Sequence, residues 1–69
     1  MLKFGSKGED VVVLQKRLNA LGFVLMTDGH FGTKTKAAVV QLQRQSGLDV
    51  DGVVGEKTRA KLQLLLNKR

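Results

Sequence analysis

Few residues in this chain have the chemistry for a site: one histidine, His30, six carboxylates, two serines and, among the glutamines that follow core leucines, those of Leu14-Gln15 and Leu42-Gln43. Asp28 and Asp51 together resemble an acid/base pair. Each, however, directly precedes a glycine in a turn, where a short carboxylate accepts backbone N–H bonds, and the same context occurs twice. They therefore read as turn residues. Glu9, Asp10, Asp49 and Glu56 are accounted for by helix starts and solvated loops. His30 has Val53 as its counterpart in the repeat described below, so the fold does not need a histidine there and it reads as a surface histidine or ligand contact rather than a base. Ser6 and Ser46 lie at helix ends without a His-acid partnership, and no cysteine is present to act as nucleophile. One histidine and no thiolate give no zinc site, so neither metal nor cofactor is expected.

The glutamines, threonines and basic residues remain. A glutamine amide offers two donors and an acceptor, so Gln15 and Gln43 either satisfy loop groups or present an amide to a ligand. Thr35 and Thr58 sit where a first-turn hydroxyl bonds back to a loop. Lys34, Lys36, Arg44, Lys57, Arg59 and Lys61 read singly as solvated helix faces, and together as an electropositive wall beside a groove.

An internal repeat must position these groups. Thr27-Asp28-Gly29-His30-Phe31-Gly32-Thr33-Lys34-Thr35-Lys36-Ala37-Ala38-Val39 returns 23 positions later as Val50-Asp51-Gly52-Val53-Val54-Gly55-Glu56-Lys57-Thr58-Arg59-Ala60-Lys61-Leu62. Asp, both glycines, Lys, Thr and the first Ala are kept, and Phe31 and Val54 exchange as apolar plugs. Asp-Gly marks a turn, and the second glycine precedes a helix.

Val11, Leu14, Leu18 and Leu21 give the stripe of a first helix over about Glu9 to Leu21, with Ser6 and Glu9 at capping-box spacing and Gly22 as C-cap. The second helix is expected over Thr33 to Ser46, capped by Thr33, buried along Ala38, Val39 and Leu42, and ended by Gly47. The third runs from Glu56 to Leu66 with Thr58, Leu62, Leu65 and Leu66 inward. Leu2 to Phe4 is an extended lead-in, Phe23 to Met26 a loop, and Asn67-Lys68-Arg69 a polar tail or start of a linker. The expected architecture is all-α: a compact three-helix bundle with two Asp-Gly-x-x-Gly loops, in one domain over residues 1–66.

At 69 residues such a domain buries only about 60% of its unfolded surface, so its core is small. A net charge of +6 favours anionic partners such as nucleic acid, acidic cell-wall polymers or a membrane surface. No segment has the apolar run of a signal peptide or the roughly 20 apolar residues of a membrane span. A soluble chain is expected, reaching any destination outside the cytoplasm by fusion, a dedicated exporter or lysis.

With these residues in place, the sequence resembles the peptidoglycan-binding domain 1 family, a three-helix cell-wall-binding module of bacterial and phage lytic enzymes. The matching residues are Gly5-Ser6-Lys7-Gly8-Glu9-Asp10-Val11, Leu14-Gln15, Leu18, Leu21-Gly22-Phe23, Asp28-Gly29-His30-Phe31-Gly32, Thr35, Ala38-Val39, Leu42-Gln43, Gly47-Leu48, Asp51-Gly52-Val53-Val54-Gly55 and Thr58. It departs where the family often has proline, at Thr33 and Glu56, and where it often has aromatics, at Leu42 and Arg59. With no Trp or Tyr, and with Phe4, Phe23 and Phe31 expected to be buried, hydrogen bonds and charge toward stem-peptide carboxylates or glycan amides replace sugar stacking.

The resemblance implies a non-catalytic module that targets a peptidoglycan hydrolase, with a covalently linked catalytic domain as partner. Met1 just before the domain suggests the N-terminal module of a phage endolysin. It implies a monomer acting at the bacterial cell wall or periplasm, with no membrane partner. The groove would lie between the second and third helices, lined by Asp28, Gly29, His30, Phe31, Thr35, Gln43, Arg44, Asp51, Gly52, Thr58 and Arg59. The alternative is a small basic helical nucleic-acid-binding domain. Against it stands the nine-residue connection Gly47 to Gly55, far longer than a helix-turn-helix turn.

Overall fold

A computed structural model describes residues 1–68 and contains three helices: α1 (Glu9–Ala20), α2 (Thr33–Gln45) and α3 (Glu56–Asn67). Each buries one face. Val11, Leu14, Gln15 and Leu18 of α1 follow i, i+3, i+4, i+7 spacing, and Thr35, Ala38, Val39, Leu42 and Gln43 of α2 continue the same spacing to i+8. In α3, Thr58 and Leu62 are buried, with Leu65 and Leu66 packed partly against the core. Phe31 and Val54 join these helices from the two repeat loops, so each loop drives its own apolar plug into a shared core.

All three helices begin at a glycine that carries no side-chain cap. This corrects two expectations. The Ser6 hydroxyl accepts the N–H of Lys3 at 3.0 Å instead of capping α1, and Thr33 is the first helical residue of α2, after Gly32 as N-cap. Gly32 (φ −102°, ψ −162°) and Gly55 (φ −98°, ψ −163°) have nearly the same backbone conformation, so α2 and α3 leave their loops in matched directions.

The C-termini of α1 and α2 fall one residue short of expectation. Leu21 and Ser46 are C-caps, because the glycine after each adopts positive φ and closes a Schellman motif. Phe23 N–H reaches Leu18 O at 3.2 Å, and Leu48 N–H reaches Gln43 O at 2.9 Å. The expected tail begins inside α3, whose final residue Asn67 accepts the Gln63 amide at 3.1 Å. Arg69 lies outside the described residues.

The lead-in does more than pack. Leu2 pairs antiparallel with Val54 through hydrogen bonds of 3.2 and 2.7 Å, and Lys7 pairs likewise with His30. Phe31 N–H donates to Ser6 O at 2.9 Å, and Gly8 N–H to Gly29 O at 3.0 Å. One short segment thus clips both repeat loops. Phe4 is 59% exposed, correcting the expectation that all three phenylalanines are buried; only Phe31 is, at 2%. Leu2 alternates with Phe4 around the turn, and only Leu2 packs against the core. Asn19 holds the next loop, its side-chain amide exchanging two hydrogen bonds with the backbone of Leu25 at 2.9 and 2.7 Å.

The two Asp-Gly glycines are unequal. Gly29 (φ +76°) and Gly52 (φ +72°) both need the left-handed region. A Cβ at Gly29 would meet the Val12 side chain at 3.1 Å and the backbone oxygen of Gly8 at 3.2 Å, whereas its nearest neighbours at Gly52 would be side chains, the flexible Lys36 at 3.1 Å and Val40 at 3.6 Å. Both alanine substitutions are expected to cost about 1–2 kcal/mol for handedness. Gly29→Ala should cost clearly more in a urea melt, because a backbone clash cannot be relieved by a rotamer change.

Candidate functional site

Each repeat loop is built around a buried glutamine. In the first, the Gln15 amide nitrogen donates toward Asp28 Oδ1 (3.2 Å), His30 O (3.0 Å) and Thr35 Oγ1 (3.1 Å), while its oxygen accepts Gly29 N–H at 3.0 Å. In the second, Gln43 donates toward Asp51 Oδ1 (3.0 Å), Val53 O (2.9 Å) and Thr58 Oγ1 (3.1 Å), and accepts Gly52 N–H at 3.0 Å. Both glutamines are 1% exposed. No buried side-chain polar atom among the described residues lacks a partner.

The orientation of each amide follows from its neighbours. Rotating it by half a turn would aim the NH2 at a glycine N–H and the oxygen at a carboxylate, a carbonyl and a hydroxyl. The aspartates complete the frame: Asp28 Oδ1 accepts His30 N–H at 3.0 Å and Asp51 Oδ1 accepts Val53 N–H at 2.9 Å. The backbone N–H of His30, then the Gln15 amide, hold the Asp28 carboxyl below its ordinary pKa. Val53 N–H and then Gln43 do the same for Asp51.

Above each network lies an open cleft. The first, of about 230 Å³, is bordered by Met26, Asp28, His30, Thr33 and Lys34. The second, of about 350 Å³, is bordered by Asp49, Asp51, Val53, Glu56 and Lys57. Each of these first-cleft positions has its partner in the second 23 residues later, as do Leu25 with Leu48, Gly32 with Gly55 and Thr35 with Thr58. The frame is duplicated, while the rim changes from Met, His and Thr to Asp, Val and Glu.

The expected site residues are therefore distributed. Asp28 and His30 are exposed on the first cleft, with Gly29 buried beneath, Thr35 4% exposed and Phe31 in the core. Asp51 borders the second cleft, with Gln43 and Thr58 forming its buried base and Gly52 buried behind them. Arg59 lines a third cleft, between α1 and α3, and Arg44 is exposed in the last turn of α2. Gln15 belongs beside Gln43 although the expected groove contained only Gln43; the shared Leu-Gln pair was the signal for it. Lys34 and Lys57 likewise join the rims.

Gln43→Leu would leave Gly52 N–H, Val53 O and the Thr58 hydroxyl without their buried partner. At about 1–3 kcal/mol per orphaned group, unfolding is expected at markedly lower urea than for Gln41→Leu on the exposed side of α2. Lowered folded-state pKa values make Asp28 and Asp51 favour folding above the ordinary aspartate pKa. That contribution fades as pH falls through the depressed values, below about pH 4. The Asp28→Asn, Asp51→Asn double variant should show a flatter melting-temperature profile across that window.

Known proteins resemble this chain in sequence and fold. Residues 7–62 match the peptidoglycan binding domain family. Over 62 residues the chain is 44% identical to the N-acetylmuramoyl-L-alanine amidase CwlM of Mycobacterium tuberculosis, spanning 88% of this chain but 15% of that protein. The crystal structure of the SleB N-terminal domain superposes with a TM-score of 0.90 and 41% identity, over 94% of this chain and 90% of that one. A Burkholderia AP3 phage endolysin superposes at 0.86 with 41% identity, over 88% of this chain and 24% of the endolysin. The family match takes in α1 with Gln15, α2 with Gln43, both Asp-Gly turns and the start of α3, and the chain belongs to the peptidoglycan binding domain family.

Proposed function

We propose that this domain binds peptidoglycan without cleaving it and holds a covalently linked hydrolase, such as a phage endolysin, on its substrate. The observation that carries this reading is the family match over residues 7–62 together with the duplicated polar clefts that those residues frame. Tethering raises the local concentration of the catalytic partner at an insoluble polymer, which is what a small module can contribute to such an enzyme. The domain acts as a monomer at the cell wall or periplasm. Its charge of +6 adds attraction to acidic wall polymers without specifying them.

Contacts with the polymer come from exposed groups on the cleft rims: Asp28, His30 and Lys34 on the first, Asp51 and Lys57 on the second. Gly29, Gly52, Thr35, Thr58, Gln43 and Phe31 support them from beneath. With no aromatic platform on either rim, binding proceeds through hydrogen bonds and charge to amides and carboxylates.

Co-sedimentation with purified sacculi tests the reading. The folded domain is expected to pellet with sacculi at physiological salt and to stay soluble with DNA-coated beads. Retention on DNA that falls steeply with salt, with no pelleting, would overturn it. The His30→Ala, Lys34→Ala double variant, outside the Gln15 side-chain network, should weaken pelleting about tenfold through lost polar contacts and leave the urea midpoint unchanged.

A further inference from the structure

A third cleft, of about 220 Å³, lies between α1 and α3, lined also by Met1 and Leu2; Met1 borders the second Asp-Gly cleft as well, but neither network glutamine lines this one. Its floor is apolar: Leu14 is 4% exposed, and Val54 and Leu62 are each 1% exposed. Two arginines, half-buried Arg17 on α1 and exposed Arg59 on α3, line it from opposite helices, and Asp10 borders the α1 side. Asp10, Leu14 and Arg17 are spaced i, i+4, i+7, which places them along one face of α1. The side-chain hydrogen bonds of the described residues centre on Gln15, Gln43 and Asn19 and leave both guanidiniums free to engage a ligand.

Two planar forks over an apolar floor suit a carboxylate attached to a small aliphatic group. A guanidinium binds carboxylate through paired N–H donors in a geometry that lysine cannot reproduce. The volume is below the roughly 300–1,000 Å³ of drug-sized sites, and fits the end of a peptide better than a sugar chain. From Asp10 to Arg17 the helix rises about 10 Å, the span of about three extended residues, so Asp10 can accept backbone N–H groups while the carboxylate reaches Arg17.

We propose that the α1/α3 cleft is a subsite for the free C-terminal end of a short, small-residue peptide, its carboxylate held between Arg17 and Arg59 and its methyl group against the accessible apolar lining of Leu2 and Val13, above buried Leu14, Val54 and Leu62. For the source of such a peptide this rests on the peptidoglycan reading, whose cross-linking peptides end in carboxylates. It assigns peptide recognition to a face separate from the Asp-Gly clefts.

The test is an amide NMR titration of the wild-type domain with diacetyl-Lys-D-Ala-D-Ala, its C-terminal carboxamide analogue, and sacculus pelleting in parallel. The acid is expected to shift the amide resonances of Asp10, Leu14, Arg17, Val54, Arg59 and Leu62, which line this cleft and neither Asp-Gly cleft, and the carboxamide to bind at least tenfold more weakly. Arg17→Gln with Arg59→Gln should abolish the shifts at an unchanged thermal midpoint, and Arg17→Lys should weaken binding although the charge is kept. Equal binding of acid and carboxamide, shifts confined to the Asp-Gly clefts, or an unaffected double variant would overturn the subsite. A wild type that pellets with sacculi yet shows no shifts at millimolar tripeptide contradicts the subsite alone. One that binds the tripeptide but never pellets contradicts the polymer reading and retains the subsite.

Discussion

A buried carboxamide is the constraint on which this domain depends, and it is used twice. Burying a glutamine is unfavourable unless its donors and acceptor all find partners, and here the partners are the loop itself: a glycine N–H, a carbonyl, an aspartate oxygen and a threonine hydroxyl. The loop in turn has no hydrophobic stripe of its own to hold it. Helix and loop are thus folded by the same set of bonds, and removing the amide exposes several unmet groups at once. The aspartate ties the turn to the amide, the glycine brings its N–H into reach, and the threonine returns the network to the next helix.

Because the frame repeats, its differences are informative. The first loop is clipped by the backbone of residues 5–8 and holds Gly29 against Gly8; the second is clipped by Leu2 alone and holds Gly52 against a movable lysine. The first loop is accordingly tied down by more backbone hydrogen bonds from the lead-in. Its rim carries Met26, His30 and Lys34, whereas the second carries Asp49, Glu56 and Lys57. The scaffold is thus fixed while the rims vary, and under the proposed function the two clefts would meet different parts of one polymer.

Most of the fold could be read from the chain, because glycines mark every helix start and the ends of α1 and α2, and the leucine stripes are regular. The family could be read for the same reason: its features are turn residues at fixed spacing. The readings that failed share a physical cause. Ser6 and Thr33 have capping residue types, yet the backbone geometry set by Gly8 and Gly32 leaves them no helix N–H to accept. The pairing of Leu2 with Val54 is a single bridge with no periodicity to announce it, and Phe4 looks as apolar in sequence as Leu2. Whether Gln15 and Gln43 faced a ligand or a loop depended on which side of each helix the Asp-Gly turn would fold against, a long-range fact. The α1/α3 cleft joins residues 10–17 to residues 54–62, and no local pattern links them.

The claim that two buried amides organise both loops is tested most directly by hydrogen exchange of glutamine side-chain NH2 protons followed by NMR. The account predicts strong, similar protection and dispersed shifts for Gln15 and Gln43, with fast exchange at exposed Gln41, Gln45 and Gln63. Exchange at Gln15 or Gln43 as fast as at the exposed glutamines, in a domain whose backbone amides remain protected, would contradict it.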